Sequence, residues 1–355
     1  MRCTNMRMAG VALIALVAAC SGPGAPQAQS ASPVAVSSPE PVPSLRSAPI
    51  LIQTLGFACR LPISIDIGPG QPGAFIDFPS GTVTPDPAAA GAGSISRPGR
   101  ELVDYFYGRY FDRAYSRWLP VSRIHVSPDG SHYAYADRAV AEQQNPPARA
   151  TMHVVAVKTG VELAFDDGAW SNPYEVLDYA ADGIYLFTTF GAYLGLWLMD
   201  PATGAITRVA NLSNVQGSAG GKVFWVGTIN PSDQHPVAGV APDQLDRLSL
   251  VDGSRFTWFY RPGSSVHFIG EDLGGHPIIY VANADGSTEV LVVPAPGINR
   301  PILPSWDALD TISDPISDSH GIWFGSPNGI YFYSDAIGLL QRVSDQPGYP
   351  ANGCF

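Results

Sequence analysis

A pair of strand-like segments joined by a glycine turn recurs along residues 123–344. The clearest copy is RIHVSPDGSHYAYAD, residues 123–137, where alternating apolar residues flank an Asp-Gly turn, a pattern typical of a β-hairpin. The turn glycines, separated by 53, 38, 54 and 46 residues, are Gly130, Gly183, Gly221, Gly275 and Gly321. Units of about 40 to 50 residues with four strands match the period of propeller blades. The repeat therefore predicts an all-β fold, a β-propeller with four-stranded antiparallel blades.

The composition fits this fold. Glycine (37) and proline (33) make up about a fifth of the 355 residues, which suits many short turns, and 45% of the chain is hydrophobic. A single blade cannot bury both of its faces, whereas stacked blades can. The apolar alternations YAYA, IYLF, VFWV, IIYV and IWF are therefore expected to form the core between blades.

The turn of the first repeat resembles the WD40-like repeat of TolB-type β-propellers. The residues that carry the resemblance are Ser127, Pro128, Asp129 and Gly130, which in that family form the turn between the two inner strands of a blade. The resemblance extends over about residues 118–346, and the later turns read AADG, SAGG, DLGG and DSHG. It implies the propeller architecture and does not imply a particular reaction.

The first nineteen residues are typical of a secretory signal peptide. Arg2 and Arg7 precede an apolar run over residues 8–19, which is too short to span a bilayer comfortably. The following VAAC motif resembles the lipobox of bacterial lipoproteins. That resemblance implies that Cys20 becomes the lipid-modified N-terminus and anchors the protein to a membrane, since two or more acyl chains suffice for stable anchoring.

Residues 20–50 are rich in serine, alanine, proline and glycine and contain few large apolar side chains. Such a segment cannot bury enough surface to fold, so a disordered tether is expected. Residues 51–355 are then the propeller domain. Together these features predict a protein of the cell envelope that is secreted, anchored by its N-terminal lipid and displayed on the extracytoplasmic side.

The four cysteines predict one disulfide. Cys3 leaves with the signal peptide and Cys20 is acylated, so Cys59 and Cys354 remain; the alternative is two unpaired buried thiols. Residues 59–87 read as two or three short strands and are interpreted as an extra, degenerate blade. Six blades are expected, with seven as the alternative, and a Cys59–Cys354 bridge would close the ring between its first and last blades.

Charge and motifs exclude several functions. The net charge is −11 and only two residues are lysine, which argues against nucleic acid as a partner. The HExxH, CxxC, P-loop and GxSxG motifs are all absent, so the usual signatures of zinc, redox, nucleotide and serine-hydrolase sites are missing. No catalytic residue and no cofactor is predicted, and an enzyme is less favoured than a binding protein.

Acidic and histidine residues near the predicted inner strands are the candidates for a channel site. They are His125, Asp178, His267, Glu271, Asp272, Asp318 and His320. Imidazoles and carboxylates converging from several blades could bind a divalent metal, by analogy with propeller lactonases and cyclases. The alternative is that they are ordinary polar residues at strand ends.

Residues 100–120, RELVDYFYGRYFDRAYSRWLP, combine arginines with aromatic residues, which are Tyr105, Phe106, Tyr107, Tyr110, Phe111, Tyr115 and Trp118. Exposed rings and arginines favour ligand contact, and stacked rings suit sugars. The favoured interpretation is an inserted segment whose rings pack into the core.

The sequence therefore favours a membrane-anchored module that binds an envelope protein or a glycan, through loops such as 138–150 and 228–243. The first alternative is a metal-dependent small-molecule enzyme, lactonase- or cyclase-like, with its site in the central channel. The second is a purely structural envelope lipoprotein.

Overall fold

In a computed structural model of the protein, the described residues form six four-stranded antiparallel sheets and one additional hairpin. The structure describes residues 52–65, 72–92, 95, 98–103, 109–139, 150–166, 174–188, 195–230, 241–303 and 315–355. The predicted signal peptide, the predicted lipidation site Cys20 and the predicted tether lie outside these residues. Within them, no helix is long and apolar enough to span a membrane.

The sheets follow one another along the chain as six blades. The strands of blade 1 are β1 (Cys59–Ser64), β2 (Gly73–Phe78) and β3 (Thr82–Asp86), followed by the helix α1 (Pro87–Gly91). Blade 2 and the hairpin inserted in it contain β4 (Arg100–Leu102), β5 (Tyr110–Asp112), β6 (Arg117–Leu119), β7 (His132–Ala139), β8 (Ala150–Ala156) and β9 (Glu162–Phe165). Blade 3 contains β10 (Glu175–Ala180), β11 (Gly183–Thr188), β12 (Gly195–Met199) and β13 (Ile206–Ala210).

The second half of the ring has the same form. Blade 4 contains β14 (Val215–Ala219), β15 (Val223–Thr228), β16 (Gln244–Ser249) and β17 (Arg255–Tyr260). Blade 5 contains β18 (Ser265–Glu271), β19 (Pro277–Ala282), β20 (Thr288–Ala295) and β21 (Ile298–Leu303). Blade 6 contains β22 (Ile316–Ser317), β23 (Ile322–Ser326), β24 (Gly329–Ser334) and β25 (Leu339–Ser344), and β26 (Tyr349–Pro350) returns to blade 1. Six blades, the favoured number, are confirmed.

The C-terminal segment closes the ring. Strand β26 pairs with β1 and is the innermost strand of blade 1, so this blade combines both ends of the domain. Further along, Arg60 and Phe355 exchange two main-chain hydrogen bonds of 2.8 and 3.1 Å. The predicted disulfide between Cys59 and Cys354 is present in the structure, with the two Cα atoms 5.6 Å apart. The predicted role of Cys354 in closing the ring is thus confirmed.

Apolar clusters fill the spaces between neighbouring blades. Blades 3 and 4 share a cluster that includes Phe187 and Phe224, and blades 5 and 6 share one that includes Val292 and Phe324. Blades 6 and 1 enclose Trp323, which is fully buried. The alternations that the sequence assigned to the core supply many of these side chains, because every second residue of a strand faces the same neighbour.

The innermost strands of blades 3, 4 and 5 each contain an irregularity in their pairing. The register shifts between Val176 and Asp178, between Val215 and Gly217, and between Phe268 and Gly270. An extra residue of this kind reverses which face the following side chains point to. The two halves of each inner strand therefore present different residues to the central channel.

Blade 2 departs from the predicted hairpin. Residues Arg123–His125 form a short 3-10 helix, and only Val126 bridges to Tyr133, where the sequence predicted a full strand. The ring of His125 is buried, and its Nδ1 lies 3.0 Å from the carbonyl oxygen of Ala134, within the segment that the missing strand would cover. Strand β4 pairs instead with residues 137–139, at the C-terminal end of β7.

A group of ionisable side chains around the buried His153 and Asp137 lies on strands β4, β7, β8 and β9 of the same blade. Both ring nitrogens of His153 contact carboxylates: Nε2 is 3.0 Å from Asp137 Oδ1, and Nδ1 is 2.5 Å from Glu162 Oε1. Arg100 also donates to Asp137. The side chains of His153 and Asp137 are each 2% exposed, so these two contact protein groups instead of water, whereas Arg100 and Glu162 are partly exposed.

The aromatic segment 100–120 supplies the hairpin β5–β6, which fills the space between blades 1 and 2. Phe111 and Trp118 are buried against Phe75 and Ala351, as the core interpretation predicts. Tyr115 is exposed. Tyr110 is half-buried, and Tyr105, Phe106 and Tyr107 lie outside the described residues.

Candidate functional site

A cavity of 690 Å³ occupies one end of the central channel. It lies where the inner strands pass into the turns that lead to the second strand of each blade. All six blades contribute a lining segment: residues 350–352, 122–124, 177–181, 216–218, 268–273 and 315–317. Its volume is within the range of about 300 to 1,000 Å³ that is typical of small-molecule pockets.

Blade 2 and its inserted hairpin place two arginines at this cavity. Arg109 is buried, and burial lowers the pKa of its guanidinium. Arg123 is exposed at the rim, with its guanidinium carbon 5.7 Å from the ring centroid of Tyr110. The Tyr110 hydroxyl accepts a 3.1 Å hydrogen bond from Asn352, and burial raises its pKa. This wall of the cavity is therefore cationic. Arg123 lies over the ring of Tyr110, and Asn352 in turn holds the hydroxyl of Tyr110.

Blade 5 places a carboxyl group at the cavity. Glu271 ends β18, and its Oε1 accepts a 2.6 Å hydrogen bond from the indole of Trp225. The hydroxyl of Ser317 donates to the main-chain carbonyl of Glu271 at 2.6 Å, which fixes the backbone. Burial raises the pKa of Glu271 to about 7, with further raising by Asp178 and Asp272. This carboxyl group thus changes charge near neutral pH.

Asp178, on the inner strand of blade 3, connects two blades. Its Oδ2 accepts hydrogen bonds of 2.9 Å from the Ser218 hydroxyl and from the Gly221 amide, both in blade 4. Burial raises the pKa of Asp178. Gly221 has a φ of +71°, and a Cβ there would lie 2.5 Å from the ring of Tyr185, so this turn requires glycine. Asp178 therefore lines the cavity and also holds the turn of blade 4 that contains Gly221.

Asp272 is held by its own turn. It accepts hydrogen bonds from the amides of Gly274 and His276, and its Oδ2 lies 2.9 Å from His276 Nδ1. Asp272 therefore lies beside the cavity, but both of its carboxyl oxygens already contact groups of its own turn.

The other predicted channel residues do not line this cavity. His125 is buried under Ala134, and burial lowers its pKa to about 4. His267 precedes the irregularity in β18 and contacts the Ser265 hydroxyl at 2.7 Å.

Asp318 and His320 lie at the ring closure. Asp318 accepts hydrogen bonds of 2.7 Å from the Trp323 indole and the Cys354 amide. His320 stacks on Phe57 with ring centroids 4.2 Å apart. In the part of the chain that the structure describes, no three His, Cys, Asp or Glu side chains form a group able to hold a metal ion.

Sequence reasoning missed Arg123, Tyr110 and Trp225 as parts of one site. Arg123 opens the first repeat, at the position of an inner strand, which was the available signal. Tyr110 and Arg109 were in the aromatic segment, but nothing in their spacing indicated that the hairpin reaches the channel.

The chain matches no protein-family model and no curated protein. Solved structures similar to it include TolB from Acinetobacter baumannii, with a TM-score of 0.45, 13% identity and coverage of 82% of this chain and 63% of that one. The tricorn protease gives a TM-score of 0.44 at 13% identity, covering 81% and 26% of the two chains. An uncharacterized protein from Listeria monocytogenes gives 0.43 at 8% identity, covering 86% and 89%. The chain spans less than two thirds of the TolB and tricorn protease chains.

Proposed function

We propose that this protein is a lipid-anchored binding module of the cell envelope, which binds a protein or glycan ligand through the channel cavity. The observation that carries the proposal is the cavity itself, to which all six blades contribute. A site assembled from six separate chain segments is rigid, because each segment is fixed by its own blade and by the closed ring. Rigid, concave sites with a few polar groups are the usual places of ligand recognition.

Anchoring through Cys20 has a direct test. We expect the wild-type protein to carry hydroxylamine-resistant lipid and to sediment with membranes, because a thioether-linked lipid is not cleaved by hydroxylamine. The Cys20→Ser variant should be soluble or remain uncleaved. Cys3→Ser, within the predicted signal peptide, is the matched control and should stay in the membrane. Membrane retention of a Cys20→Ser protein from which residues 1–19 have been cleaved would contradict the anchor.

Ligand binding through the cavity is tested by cross-linking in the native membrane, followed by purification through a tag that spares Cys354 and mass spectrometry. We expect a protein or glycan whose recovery falls at least tenfold in Arg123→Glu, which reverses a charge at the cavity rim. Arg208→Glu changes an exposed arginine on the outermost strand of blade 3 and serves as the control. Equal recovery from both variants would place the binding surface elsewhere on the propeller.

One observation favours a second candidate, the metal-dependent small-molecule enzyme. The carboxyl groups of Asp178 and Glu271 line the same cavity, and the pKa of each is raised. A bound divalent cation would stabilise both ionised forms. A stoichiometric metal in the purified protein that is lost in Glu271→Gln would favour this candidate over the binding module.

A further inference from the structure

The cavity carries opposite charges on opposite walls. In a closed ring of six blades, each blade faces the one three positions further on, so blade 2 faces blade 5. Arg123 belongs to blade 2 and Glu271 to blade 5, and both line the cavity. Arg109, from the inserted hairpin, adds a second cation to the cavity.

Arg123 has donors available for a ligand. Its Nη1 donates to the carbonyl oxygen of Val126 at 3.2 Å, and its guanidinium lies over Tyr110, but no carboxylate of the described residues is within ion-pair distance. Asp178 is close enough for Arg123 to lower its pKa, yet Asp178 already accepts two hydrogen bonds from blade 4. A planar guanidinium in this position is suited to binding a carboxylate or phosphate through two hydrogen bonds.

Glu271 has an acceptor available on the opposite wall. Only Oε1 is hydrogen-bonded, to Trp225, and Oε2 makes no hydrogen bond with a described residue. The neighbouring Asp272 is committed to His276, and Lys222 lies at the exposed rim of blade 4. Glu271 is therefore the acidic group best placed to meet a cationic ligand.

Apolar side chains line the space between the two charged walls. Leu177 on blade 3, Phe268 on blade 5 and Ile316 on blade 6 are half-buried and contribute to the same cavity. Apolar surface of this kind favours a hydrocarbon spacer over a polar one, because polar atoms would lose their hydrogen bonds to water there.

We infer that the cavity binds a linear dipolar group, with an anion at Arg123, an ammonium at Glu271 and an aliphatic chain between them. The inference rests on the proposed function and specifies which part of the ligand enters the channel.

The probes are ω-amino carboxylates of three to twelve carbons, titrated calorimetrically into the full-length protein in detergent. Affinity should pass through a maximum at an intermediate length. The alkylamine and the carboxylate of that length, each with one charge, should bind at least tenfold more weakly. Affinity that rises steadily with chain length whatever the end groups, or absence of binding for every probe, would overturn the inference.

Two variants assign the ends of the probe. Arg123→Met should reduce the affinity of the best probe to that of the alkylamine, and Glu271→Gln to that of the carboxylate. Arg208→Met, on the outer strand of blade 3, should bind like wild type. The single-charge probes give the same information on the unaltered protein, so the test does not depend on either variant folding.

The pH dependence identifies Glu271. Because its pKa is about 7, ionisation increases the affinity for an ammonium group about tenfold between pH 6 and pH 8. The charged groups around it are Asp178, Asp272 with His276, Lys222 and the two cavity arginines. A profile that rises in wild type and is flat in Glu271→Gln assigns the titration to Glu271, whereas an unchanged slope in the variant contradicts the assignment.

The proposed binding module and the inferred dipolar ligand can be refuted independently of each other. A membrane ligand that is lost in Arg123→Glu, together with no binding of any ω-amino carboxylate, would refute the dipolar ligand and retain the binding module. Specific binding of the probes without any captured membrane ligand would retain the dipolar site and refute a protein or glycan partner.

Discussion

Replacing both Cys59 and Cys354 by alanine is expected to lower the free energy of unfolding by about 3 to 5 kcal/mol. The bridge joins residues 295 positions apart, so its loss releases a very long loop in the unfolded chain. The seam that it supports also contains the two-residue strand β26, main-chain hydrogen bonds, and the apolar cluster around Trp323 between blades 6 and 1. Urea unfolding, followed by tryptophan fluorescence, measures the difference.

Reduced wild-type protein is the matched control for the double variant, since it lacks the bridge but keeps both sulfur atoms. The two should unfold at similar urea concentrations, both well below the oxidised protein. Identical midpoints for oxidised and reduced wild type would show that the disulfide does not stabilise the ring. Peptide mapping without reductant verifies the Cys59–Cys354 linkage in the same sample.

The Asp137→Asn substitution in blade 2 is expected to lower the free energy of unfolding by about 3 kcal/mol, because it removes the buried carboxylate that Arg100 and His153 contact inside the blade. The matched control is Asp77→Asn, which breaks an exposed ion pair with Arg60 whose side chains are 35% and 47% exposed. That change should cost less than about 1 kcal/mol because water screens the pair. Equal costs would mean that burial does not strengthen the blade 2 group.

The difference in stability between wild type and Asp137→Asn is expected to depend on pH. Burial opposes ionisation of Asp137, but its hydrogen bonds to His153 and Arg100 outweigh burial and hold its pKa below the ordinary 3.8. A lowered pKa stabilises the folded state above pH 3.8, and this contribution is lost as the pH falls through the folded-state value. Wild type and Asp137→Asn should therefore converge in stability as the solution is acidified below pH 3.8. A constant difference would point to a steric cause.

The sequence predicted the blades well because their signals are local. Turn glycines such as Gly130 and Gly221 need positive φ, and apolar alternation marks the strands on either side. The ring closure was also predictable, since Cys59 and Cys354 stand at the two ends of the repeated region. These features depend on neighbouring residues or on chain order, both of which are visible in a sequence.

The channel site was less predictable because it depends on small irregularities. In β18 the register shift between Phe268 and Gly270 separates His267 from Glu271, so that only Glu271 lines the cavity. Regular alternation would have given both residues the same orientation. In blade 2 residues 123–125 form a 3-10 helix instead of the predicted strand, with Arg123 at the rim and His125 buried. Neither effect leaves a pattern in the sequence, because each arises from how neighbouring blades pack.

The seam also determines how the domain responds to mechanical load. At the N-terminal side, Ile52 bridges to Arg342 at the edge of blade 6, and the Gln53 amide donates to the Arg342 carbonyl at 2.7 Å. A pulling force applied to the chain from this side would first separate Ile52 and Gln53 from Arg342 and would then act on Cys59. There the covalent bond to Cys354 transfers the force to the opposite end of the domain. The load on β1 is then shared with β26, the strand paired with it, so the two ends of the domain have to be pulled out together and not one after the other.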